Sequence, residues 1–564
     1  MSNLLAKFID NKMVAYFSME IALNDDIHTY SGGLGVLAGD TLKTSADLRL
    51  PLIGITLASK KGYFRQELTP NGEQIEHTQE WNPSEFMQLL PQTTDVRIEN
   101  RKVQIKAWLY TITSPTGGET PIIFLDTDID GNKDEDKRIT DFLYGGDPNY
   151  RFKQEIVLGI GGVRMLDALG FTVRKYHMNE GHSSLLGLEL LRKTDMNVDK
   201  VKKMCIFTTH TPVEAGHDKF SYDLVTQIMN LDISLDAIKE LGGKSQLNLT
   251  RLALNLSNYV NGVAKEHKET SQKMFPGYKI HAITNGIHSH TWTCENFKKI
   301  YDEHLPGWGI EPNRLAQVEV IPDEKIWQAH LQAKKNLIDY VDENTNVHMD
   351  PEILTIGFAR RSTAYKRAGL IFSDLDKLRK INRSGQIQLI FGGKAHPKDY
   401  SGKQIIKEIF GYKDQLKDEI KIAYLQDYDI SVASNLIPGV DVWLNTPLPP
   451  FEASGTSGMK AAHNGVINFS VLDGWWAEGC LEGVNGWAIG PAPDNNLSDT
   501  ERKYRELDDL YSKMEYVIAP LFYQHRDQWI KMMKNSIATL AYYFNSHRML
   551  QRYVIEAYFN DPTN

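Results

Sequence analysis

The 564-residue sequence is poor in cysteine, with only Cys205, Cys294 and Cys480. These three are far apart and odd in number, so they predict neither a disulfide framework nor a CxxC metal pair. The sequence also has no apolar run of about 18 residues that would suit a membrane span. Asp10 and Lys12 interrupt the apolar residues near the start, where a cleavable signal would need an unbroken stretch. These absences predict a soluble, cytoplasmic protein.

An excess of basic charge is also absent. The chain has 63 Lys and Arg against 72 Asp and Glu, a net charge of −9, and a pI of about 6.0. Such a chain is not expected to bind nucleic acids or anionic membranes in a general way. A small anionic substrate would therefore need a local basic cluster. The length and the 41% apolar content suffice for two or three domains with large cores.

Short apolar runs that alternate with helical patterns make up most of the sequence. The runs typical of buried strands are 13–18, 103–112, 121–127, 203–210, 353–359, 387–393 and 440–446. Alternation of strands and helices predicts α/β architecture, with parallel sheets covered by helices on both faces. In such folds ligands bind beyond the carboxyl ends of the strands.

The domain boundaries are predicted from a long helical segment and the polar stretch that follows it. Residues 322–344 have helical periodicity, and the exposed-looking residues after them precede a new strand. We therefore predict an N-terminal α/β domain over 1–345 and a second α/β domain over 346–525. Residues 526–564 are predicted to be C-terminal helices that pack back on the N-terminal domain.

A single lysine, Lys460, lies one turn inside a predicted helix in the segment EASGTSGMKAAHNG, residues 452–465. Backbone N–H groups at a helix start favour a phosphate or carboxylate, and Gly455 and Gly458 would let the backbone approach a ligand closely. The segment is not a P-loop, because the lysine lacks a preceding glycine and a following Ser or Thr. A Schiff base with a phosphate-bearing aldehyde cofactor would suit Lys460. A solvent-facing lysine at an ordinary helix start is the alternative that these residues leave open.

Two other segments suit phosphate groups. YSGGLGVLAGD, residues 30–40, has closely spaced glycines, but no strand directly precedes it, which argues against a dinucleotide site. A loop over a phosphate and a tight turn both remain open. FARRSTAYKR, residues 358–367, follows a predicted strand and carries the cations Arg360, Arg361, Lys366 and Arg367. Arginine forks and a lysine charge suit phosphate oxygens, and a solvated basic turn is the alternative.

Metal binding is not predicted. DTDIDGNKDEDK, residues 126–137, nearly matches a calcium loop, but Lys137 occupies the position of the bidentate glutamate. It is therefore predicted to be a solvated acidic turn. His177, His182, His210 and His217 form no HExxH pattern. They are expected to bind a polar substrate such as a sugar, or to serve in capping and packing.

Taken together, these segments resemble the α-glucan phosphorylases, which include the glycogen, starch and maltodextrin phosphorylases. EASGTSGMK is similar to the family's pyridoxal-phosphate lysine segment, usually EASGTGNMK, and GGLG, RRSTAYKR, GGKAHP and TNGIHSHTW recur in the order expected for the family. The likeness extends from about residue 13 to residue 480. It is to the short, mainly prokaryotic branch, which implies that the regulatory N-terminal extension of the longer animal enzymes is absent.

The resemblance implies two Rossmann-like domains facing across a cleft, the glycosyltransferase-B type of α/β fold, and pyridoxal 5′-phosphate on Lys460. Arg360 falls where the family commonly has lysine. The catalytic residues implied are Lys460, Arg361, Lys366 and His210. The cofactor-binding residues implied are Lys460, Thr456, Ser457, Arg360, Trp292 and Gly33. The substrate-binding residues implied are Gly32, Gly33, Asn285, Glu452, Ser454 and Gly455, with His210 also among those that bind glucose.

The reaction implied by the resemblance is reversible phosphorolysis of terminal α-1,4-linked glucose from glycogen or maltodextrin. It gives glucose 1-phosphate with retained configuration, and the cofactor's 5′-phosphate relays a proton, which a second pKa near 6 suits. The partners implied are the glucan and inorganic phosphate, without nucleic acid or membrane, and a homo-oligomer is left open. The alternatives are a nucleotide-sugar glycosyltransferase, an amino-group enzyme in which Lys460 carries protons, and a non-enzymatic glucan-binding protein.

Overall fold

The structure is a computed structural model that describes residues 5–9, 11–230, 232–493 and 497–559. The strands are β1 (Lys12–Ser18), β2 (Leu52–Leu57), β3 (Arg65–Leu68), β4 (Gln74–His77), β5 (Gln88–Ile98), β6 (Arg101–Thr113), β7 (Glu119–Asp126), β8 (Thr172–Asn179), β9 (Cys205–Thr208), β10 (Lys219–Ser221), β11 (Gln246–Asn248), β12 (Tyr259–Gly262), β13 (His281–Ala282), β14 (Leu354–Ala359), β15 (Ile387–Gly392), β16 (Ile422–Leu425), β17 (Val442–Asn445), β18 (Ile467–Val471) and β19 (Gly486–Ile489). Each of the seven runs predicted as strands contains or overlaps one of these.

Helices connect most of the strands. The α-helices are α1 (Ala6–Ile9), α2 (Gly33–Asp47), α3 (Asp134–Lys137), α4 (Pro148–Ile156), α5 (Gly162–Ala168), α6 (Leu186–Lys193), α7 (Val198–Met204), α8 (Tyr222–Ile228), α9 (Leu235–Gly242), α10 (Leu249–Asn255), α11 (Lys265–Met274), α12 (Ser289–Trp292), α13 (Glu295–His304), α14 (Asp323–Thr345), α15 (Leu375–Ser384), α16 (Tyr400–Leu416), α17 (Ile430–Gly439), α18 (Ser457–His463), α19 (Trp476–Gly479), α20 (Asp499–Lys513), α21 (Ala519–Gln524), α22 (Arg526–Ser536) and α23 (Ser546–Tyr553). Short 3₁₀ helices span Pro83–Glu85, Gly181–Ser183, Glu214–Gly216, Pro312–Val320, Ala364–Lys366 and Ala368–Phe372, and π-helical turns span Val157–Gly161, Met514–Ile518, Ile537–Ala541 and Val554–Tyr558. No helix in the described ranges is both long enough and apolar enough to cross a membrane.

The chain divides into two compact units. Unit 1 comprises Met1–Phe64, Thr78–Thr284 and Met549–Asn564, and unit 2 comprises Arg65–His77 and Asn285–Arg548. This division differs from the boundaries that the sequence predicts at 345/346 and 525/526. The units change after Thr284, and the C-terminal segment that joins unit 1 begins only at Met549.

Packing of α14 explains why the division falls before residue 345. His330 and Lys334 of this helix are buried, and their side chains lie 2.8 Å and 2.6 Å from the carboxylate of Asp441, which precedes β17. A buried carboxylate that loses such partners is strongly destabilising. The helix that the sequence assigns to the end of the first domain is therefore part of the core of the second unit.

Unit 1 contains a sheet of nine strands in the order β13-β12-β9-β8-β1-β2-β7-β6-β5. The strands from β13 to β7 pair in parallel, and β7, β6 and β5 pair antiparallel. β1 is an unbroken apolar run because its residues from Met13 onward are buried on both faces. The carboxyl ends of β1, β8 and β9 lie side by side, since Ser18 pairs with Asn179 and Asn179 pairs with Thr208.

Unit 2 contains a parallel sheet of six strands in the order β16-β15-β14-β17-β18-β19. At its carboxyl edge Ala359 pairs with Gly392, and Asn445 pairs with Ser470. The segments that continue from these strand ends are 360–367, 393–395, 446–457 and 472–475. They contain most of the residues that the sequence analysis selects. The α/β fold class predicted from the sequence is confirmed.

The C-terminal residues of unit 1 pack against its sheet through tyrosine hydroxyls. The Tyr558 hydroxyl lies 2.8 Å from Nδ1 of His177, a buried residue of β8. The Tyr553 hydroxyl accepts a hydrogen bond of 2.9 Å from the side-chain amide of Asn261. Burial lowers the pKa of His177 to about 3, so its ring is neutral and Nδ1 depends on Tyr558 for a hydrogen bond.

We therefore expect Tyr558→Phe to destabilise unit 1. The variant leaves Nδ1 of His177 buried without a partner, which costs about 1–3 kcal/mol. Thermal unfolding should show a lower midpoint for the transition assigned to unit 1. Tyr400→Phe is the control, because this tyrosine is largely exposed and its replacement should leave the midpoint unchanged. Equal midpoints for Tyr558→Phe and the parent protein would contradict the assignment.

Candidate active site

Lys460 lies in the interior of unit 2. Its residue is 6% exposed, and its Nζ lies 3.3 Å from the ring centroid of Trp292, which is also buried. A lysine ammonium over an indole face is attracted by the ring quadrupole, more strongly when both are removed from water. The alternative of a solvent-facing lysine is therefore wrong.

Asn464 fixes the backbones of Lys460 and Trp292 relative to each other. Its side-chain amide donates 2.8 Å hydrogen bonds to the carbonyls of both residues, and its oxygen accepts one of 2.8 Å from the N–H of Cys294. These three hydrogen bonds join the end of α18 to α12 and to the residues that follow α12. Asn464 was not among the residues predicted from the sequence. Its place next to the final glycine of the HNG triplet is the one local signal, since Asn and Gly commonly end helices.

Gly455 and Gly458 of the lysine segment are each required to be glycine, for two different structural reasons. Gly455 has φ of +81°, a left-handed conformation that favours glycine. At Gly458 a Cβ would lie 2.4 Å from Oδ1 of Asn468 and 2.6 Å from the ring of Trp475. Gly458 is therefore required by packing, whereas the sequence suggested close approach to a ligand. The neighbouring Ser457 hydroxyl accepts a hydrogen bond of 3.1 Å from the indole N–H of Trp443.

Two of the cations predicted to bind phosphate meet at the buried carboxylate of Glu452. Oε2 of Glu452 lies 2.5 Å from Nη2 of Arg360 and 2.7 Å from Nζ of Lys366. Burial alone would raise the pKa of Glu452, but the two cations lower it to about 2. Burial and the nearby Arg360 lower the pKa of Lys366, and Glu452 partly offsets them. Two positive charges share one negative charge here, which leaves the cluster with a surplus suited to an anion.

The other two arginines of the 358–367 segment behave differently from each other. Arg367 is committed to structure, since it lies 2.5 Å from a carboxylate oxygen of Glu506 and donates to the carbonyls of Thr446 and Pro447. Arg361 is exposed at the carboxyl edge of the sheet. Arg361 is thus able to meet a ligand, and Arg367 holds the segment in place.

Asp473 positions the loop that carries Glu452. Its carboxylate accepts 2.9 Å hydrogen bonds from the backbone N–H groups of Glu452 and Gly474. Two residues later, the N–H of Trp475 donates to the carbonyl of Ser454 at 2.9 Å. Gly474 has φ of +57°, and a Cβ there would lie 2.4 Å from the same carbonyl. This turn, residues 473–475, was not selected from the sequence because nothing local connects it to a loop twenty residues earlier.

The titration of Asp473 predicts how stability depends on pH. Burial, and then the charge of Glu452, raise the pKa of Asp473 to about 7. The unfolded value is about 3.9, so the folded state binds the proton more tightly. This contribution to stability is full below about pH 4 and is lost as the pH rises through about 7. Asp473→Asn should therefore make the denaturant-unfolding free energy less dependent on pH in this interval.

Asp339→Asn is the matched control for that measurement, because Asp339 is more than half exposed on α14. It should leave the pH dependence as in the parent protein. A slope that is equally steep in Asp473→Asn would show that the proton is bound elsewhere.

The predicted glycine loop lies in unit 1 at the start of α2. The carboxylate of Glu20 accepts hydrogen bonds of 2.6 Å and 3.1 Å from the N–H groups of Ser31 and Gly32. A Cβ at Gly32 or Gly33 would meet nothing within 4 Å, whereas one at Gly35 would lie 2.6 Å from Tyr30. Gly35 is thus needed for packing. Gly32 and Gly33 instead face open space that a ligand could fill.

His210 follows β9 at the carboxyl edge of the unit 1 sheet. Its Nε2 lies 2.6 Å from Oδ1 of Asn179, and its backbone N–H donates to Glu180 at 2.7 Å. Burial, and then nearby histidines, lower its pKa to about 3. Glu180 has φ of +75°, an unfavourable conformation for a residue other than glycine that its surroundings must hold in place. His210 is therefore a neutral hydrogen-bonding group.

Asn285 of unit 2 has a buried oxygen with an unused hydrogen-bonding capacity. The residue is 5% exposed, and its Oδ1 has no hydrogen-bond partner among the described residues. A buried acceptor without a partner carries a free-energy cost, so this oxygen needs a structural or functional explanation.

The acidic turn 126–137 is neutralised by lysines of unit 1. Lys60 lies 2.5 Å from Asp128, Lys106 lies 3.4 Å from Asp126, and Lys137 lies 3.7 Å from Asp130. Throughout the described part of the chain, no three metal-ligating side chains are grouped as a metal site would require. The side chains of His177, His182, His210 and His217 have hydrogen-bond or ion-pair partners within unit 1.

We expect this turn to bind no calcium at micromolar concentrations. The lysines that compensate its carboxylates would have to be displaced, and Lys137 occupies the position where calcium needs a bidentate glutamate. Calorimetric titration should show no stoichiometric heat. The variant Lys137→Glu restores the missing ligand and should raise the affinity of the turn for calcium. Tight stoichiometric binding by the parent protein would refute the expectation.

The candidate site residues are divided between the units. Unit 1 contains Gly32, Gly33 and His210. Unit 2 contains Lys460, Thr456, Ser457, Arg360, Arg361, Lys366, Trp292, Asn285, Glu452, Ser454 and Gly455. Within unit 2 the structure brings together Lys460 with Trp292, and Arg360 with Lys366 and Glu452. The roles of all these residues stay predictions.

In each unit, polar groups lie at the carboxyl ends of parallel strands, which is where α/β enzymes bind their ligands. The particular family follows from comparison with known proteins. Residues 218–478 match the family model described as carbohydrate phosphorylase. The chain belongs to the carbohydrate phosphorylase family, as its resemblance to the α-glucan phosphorylases predicts.

Alignments with similar proteins extend over nearly the whole chain. A maltodextrin phosphorylase of Thermococcus litoralis is 40% identical, over 97% of this chain and 70% of its own length. Glycogen phosphorylases of Aquifex aeolicus and Mycobacterium tuberculosis are each 34% identical over 97% of this chain, which corresponds to 86% and 70% of their lengths.

Proposed function

We propose that this protein is an α-glucan phosphorylase. It transfers terminal α-1,4-linked glucose from glycogen or maltodextrin to inorganic phosphate and yields glucose 1-phosphate with retained configuration. Membership of the family, and similarity to relatives named maltodextrin and glycogen phosphorylase, support this activity. The observation that carries the proposal is the buried Lys460 over Trp292, in a unit that also presents a basic cluster.

The residues around Lys460 fit pyridoxal 5′-phosphate. Lys460 is a buried amine whose position is fixed through Asn464, and the flat ring of Trp292 beside it suits a planar aromatic cofactor. Lys460 would hold the cofactor covalently, and Thr456 and Ser457 would bind its phosphate through their backbone. When bound, pyridoxal 5′-phosphate would supply a phosphate ester with a second pKa near 6, which is suited to proton exchange near neutrality.

Binding of the substrate phosphate falls to Arg361 and Lys366. Arg361 is exposed at the strand end, and Lys366 lies in the cluster with surplus positive charge. Fixed cations at this place would hold phosphate groups together that otherwise repel, and would stabilise charge that develops in the transition state. Arg360 has the same carboxylate partner as Lys366, and we assign it to the cofactor phosphate. Because Arg360 stands where the family commonly has lysine, it would hold that phosphate with a planar fork instead of a point charge.

Two of the proposed sugar-binding residues are neutral hydrogen-bonding groups. Asn285 has a side-chain oxygen without a hydrogen-bond partner among the described residues, and His210, being neutral, would hydrogen-bond a hydroxyl instead of acting as an acid. Glu452, Ser454 and Gly455 complete the proposed glucose-binding set, and Gly32 and Gly33 leave space for phosphate in unit 1. The proposed partners are thus an α-1,4-glucan and inorganic phosphate. We place the enzyme in the cytoplasm, where stored glucan and phosphate meet.

The test of this proposal separates it from the two enzymatic alternatives. The purified protein should show the absorbance of a lysine-bound pyridoxal cofactor, which a nucleotide-sugar glycosyltransferase would lack. Reduction with borohydride should remove that absorbance and leave substantial phosphorolysis, since Lys460 is only the attachment point. An amino-group enzyme needs the reducible bond and would be inactivated. Reconstitution with pyridoxal, which lacks the phosphate, should restore the attachment but little activity.

A further inference from the structure

A β-hairpin from the N-terminal part of the chain is built into unit 2. It consists of β3 and β4, which pair antiparallel, with Gln66 opposite Glu76 and Leu68 opposite Gln74. The chain up to Phe64 and from Thr78 onward belongs to unit 1, whereas Arg65–His77 belongs to unit 2. The contacts of the hairpin within unit 2 explain why this segment leaves unit 1.

Two buried glutamines of the hairpin bind the backbone of the loop after β15, residues 393–395. Gln66 donates to the carbonyl of Gly393 at 3.0 Å. Gln74 accepts from the N–H of Ala395 and donates to its carbonyl, both at 2.9 Å. The two glutamines also bond to each other at 2.8 Å. Buried amides with this many partners fix a unique geometry.

The hairpin is fixed at its other contacts too. Gln66 exchanges two backbone-to-side-chain hydrogen bonds with Asp427, of 2.8 Å and 2.9 Å. Half-buried Glu76 accepts a hydrogen bond of 2.6 Å from the Gln74 amide and lies 2.7 Å from Lys403. The pair of Glu73 and Lys407, 2.9 Å apart, is exposed and contributes little to holding the hairpin. The glutamines therefore cannot shift without breaking several other bonds.

The loop that the glutamines hold is bonded on its other side to the basic segment. The N–H of Arg360 donates to the carbonyl of Gly392 at 3.1 Å, and the N–H of Ser362 donates to the carbonyl of Lys394 at 2.8 Å. At Gly393, with φ of +142°, a Cβ would lie 1.9 Å from the carbonyl oxygen of Arg360. The loop and the basic segment are therefore in direct backbone contact, and Arg361 lies between the two bonded positions.

We propose that the hairpin is a positioning element for the phosphate-binding segment, with Gln66 and Gln74 as its positioning residues. They hold the loop 393–395, and this loop holds the backbone of residues 360–362. The position of the Arg361 Cα, from which its side chain extends, is thereby fixed. This inference rests on the proposed function, because it concerns the site assigned to inorganic phosphate. A displacement of catalytic groups by about 1 Å costs up to about 100-fold in rate, so this support matters for catalysis.

The kinetic test compares Gln74→Ala with Glu73→Gln. Gln74→Ala removes the bonds to Ala395, and it should raise the KM for inorganic phosphate about 10-fold while the KM for maltodextrin and the cofactor content stay near parent values. Glu73→Gln weakens an exposed ion pair of the same hairpin, and it should change none of these. A KM for phosphate that stays at the parent value in folded Gln74→Ala would overturn the proposal. So would equal changes in both KM values.

A second measurement does not depend on activity. Amide hydrogen exchange in the cofactor-containing protein should be faster at residues 360–362 and 393–395 in Gln74→Ala, and unchanged there in Glu73→Gln. Faster exchange in the hairpin alone would refute the link to the basic segment. If the parent protein shows no phosphorolysis but exchange changes as expected, the proposed function fails and the positioning role stands.

A second variant guards against a loss of folding. Gln74→Met keeps the length of the side chain but loses its hydrogen bonds to Ala395, Gln66 and Glu76. It should raise the KM for phosphate and the exchange at residues 360–362 and 393–395 in the same way as Gln74→Ala. Parent values in folded Gln74→Met would contradict the role assigned to the hydrogen bonds.

Discussion

Lys460→Ala should abolish phosphorolysis, with a loss on the order of 10³-fold or more in kcat. The variant removes Nζ, the atom through which the proposed cofactor is attached and which lies 3.3 Å from the Trp292 ring centroid. Cofactor content, measured by absorbance and by mass spectrometry of the intact protein, should fall in parallel with activity. Peptide mapping of the parent protein after hydride reduction should find the label on Lys460.

The matched variant Lys460→Arg separates attachment from charge. It keeps a cation that can lie over Trp292, but it cannot form the covalent bond, so it should be about as inactive as Lys460→Ala and better folded. Lys335→Ala, at an exposed position of α14, is the control for removal of a lysine and should retain full activity. A label on another lysine, or near-normal activity of Lys460→Arg, would exclude the proposed attachment.

Arg361→Ala and Lys366→Ala should each reduce kcat/KM for phosphorolysis on the order of 10²-fold. Each removes one of the cations assigned to the substrate phosphate. Lys366→Ala also removes one of the two cations that contact Glu452 among the described residues, so the pKa of that carboxyl should rise from about 2. Steady-state kinetics with varied phosphate at fixed maltodextrin measures the effect, and cofactor content should change much less than activity.

Two controls accompany these variants. Arg383→Ala removes an exposed arginine on α15 and should leave kinetics unchanged. Lys366→Met keeps the length of the side chain but removes its charge. If it lowers kcat/KM as much as Lys366→Ala does, the loss of activity is due to the missing charge. Turnover near the parent value at low phosphate, in either Arg361→Ala or Lys366→Ala, would show that phosphate is bound elsewhere.

The fold was predictable where the signal is local. Continuous apolar runs such as 13–18 and 353–359 are strands because both faces of a parallel sheet are buried, and the helix predicted over 322–344 is α14. The division into units was not predictable in this way. The side chains of His330 and Lys334 reach Asp441, more than a hundred residues later, and no local pattern reports such a contact.

Candidate site residues could be selected from the sequence where the chemistry is concentrated in one segment. The EASGTSGMK and RRSTAYKR segments contain most of the residues that the family resemblance assigns, and the structure brings Arg360 and Lys366 to Glu452. The residues that position them were missed. Asn464, Asp473 and Gln74 act through hydrogen bonds to the backbone of distant segments, and a backbone N–H or carbonyl has no signature in the sequence.

The central claim is that this protein moves glucose from a glucan to phosphate, and the most direct measurement is of the product itself. Purified protein containing pyridoxal 5′-phosphate is incubated with maltodextrin and inorganic phosphate, and phosphorus and proton NMR follow the reaction. We expect α-glucose 1-phosphate to form in proportion to the phosphate consumed, with no free glucose in excess of a phosphate-free control. Release of free glucose or maltose that does not depend on phosphate, or no reaction at all, would contradict the account.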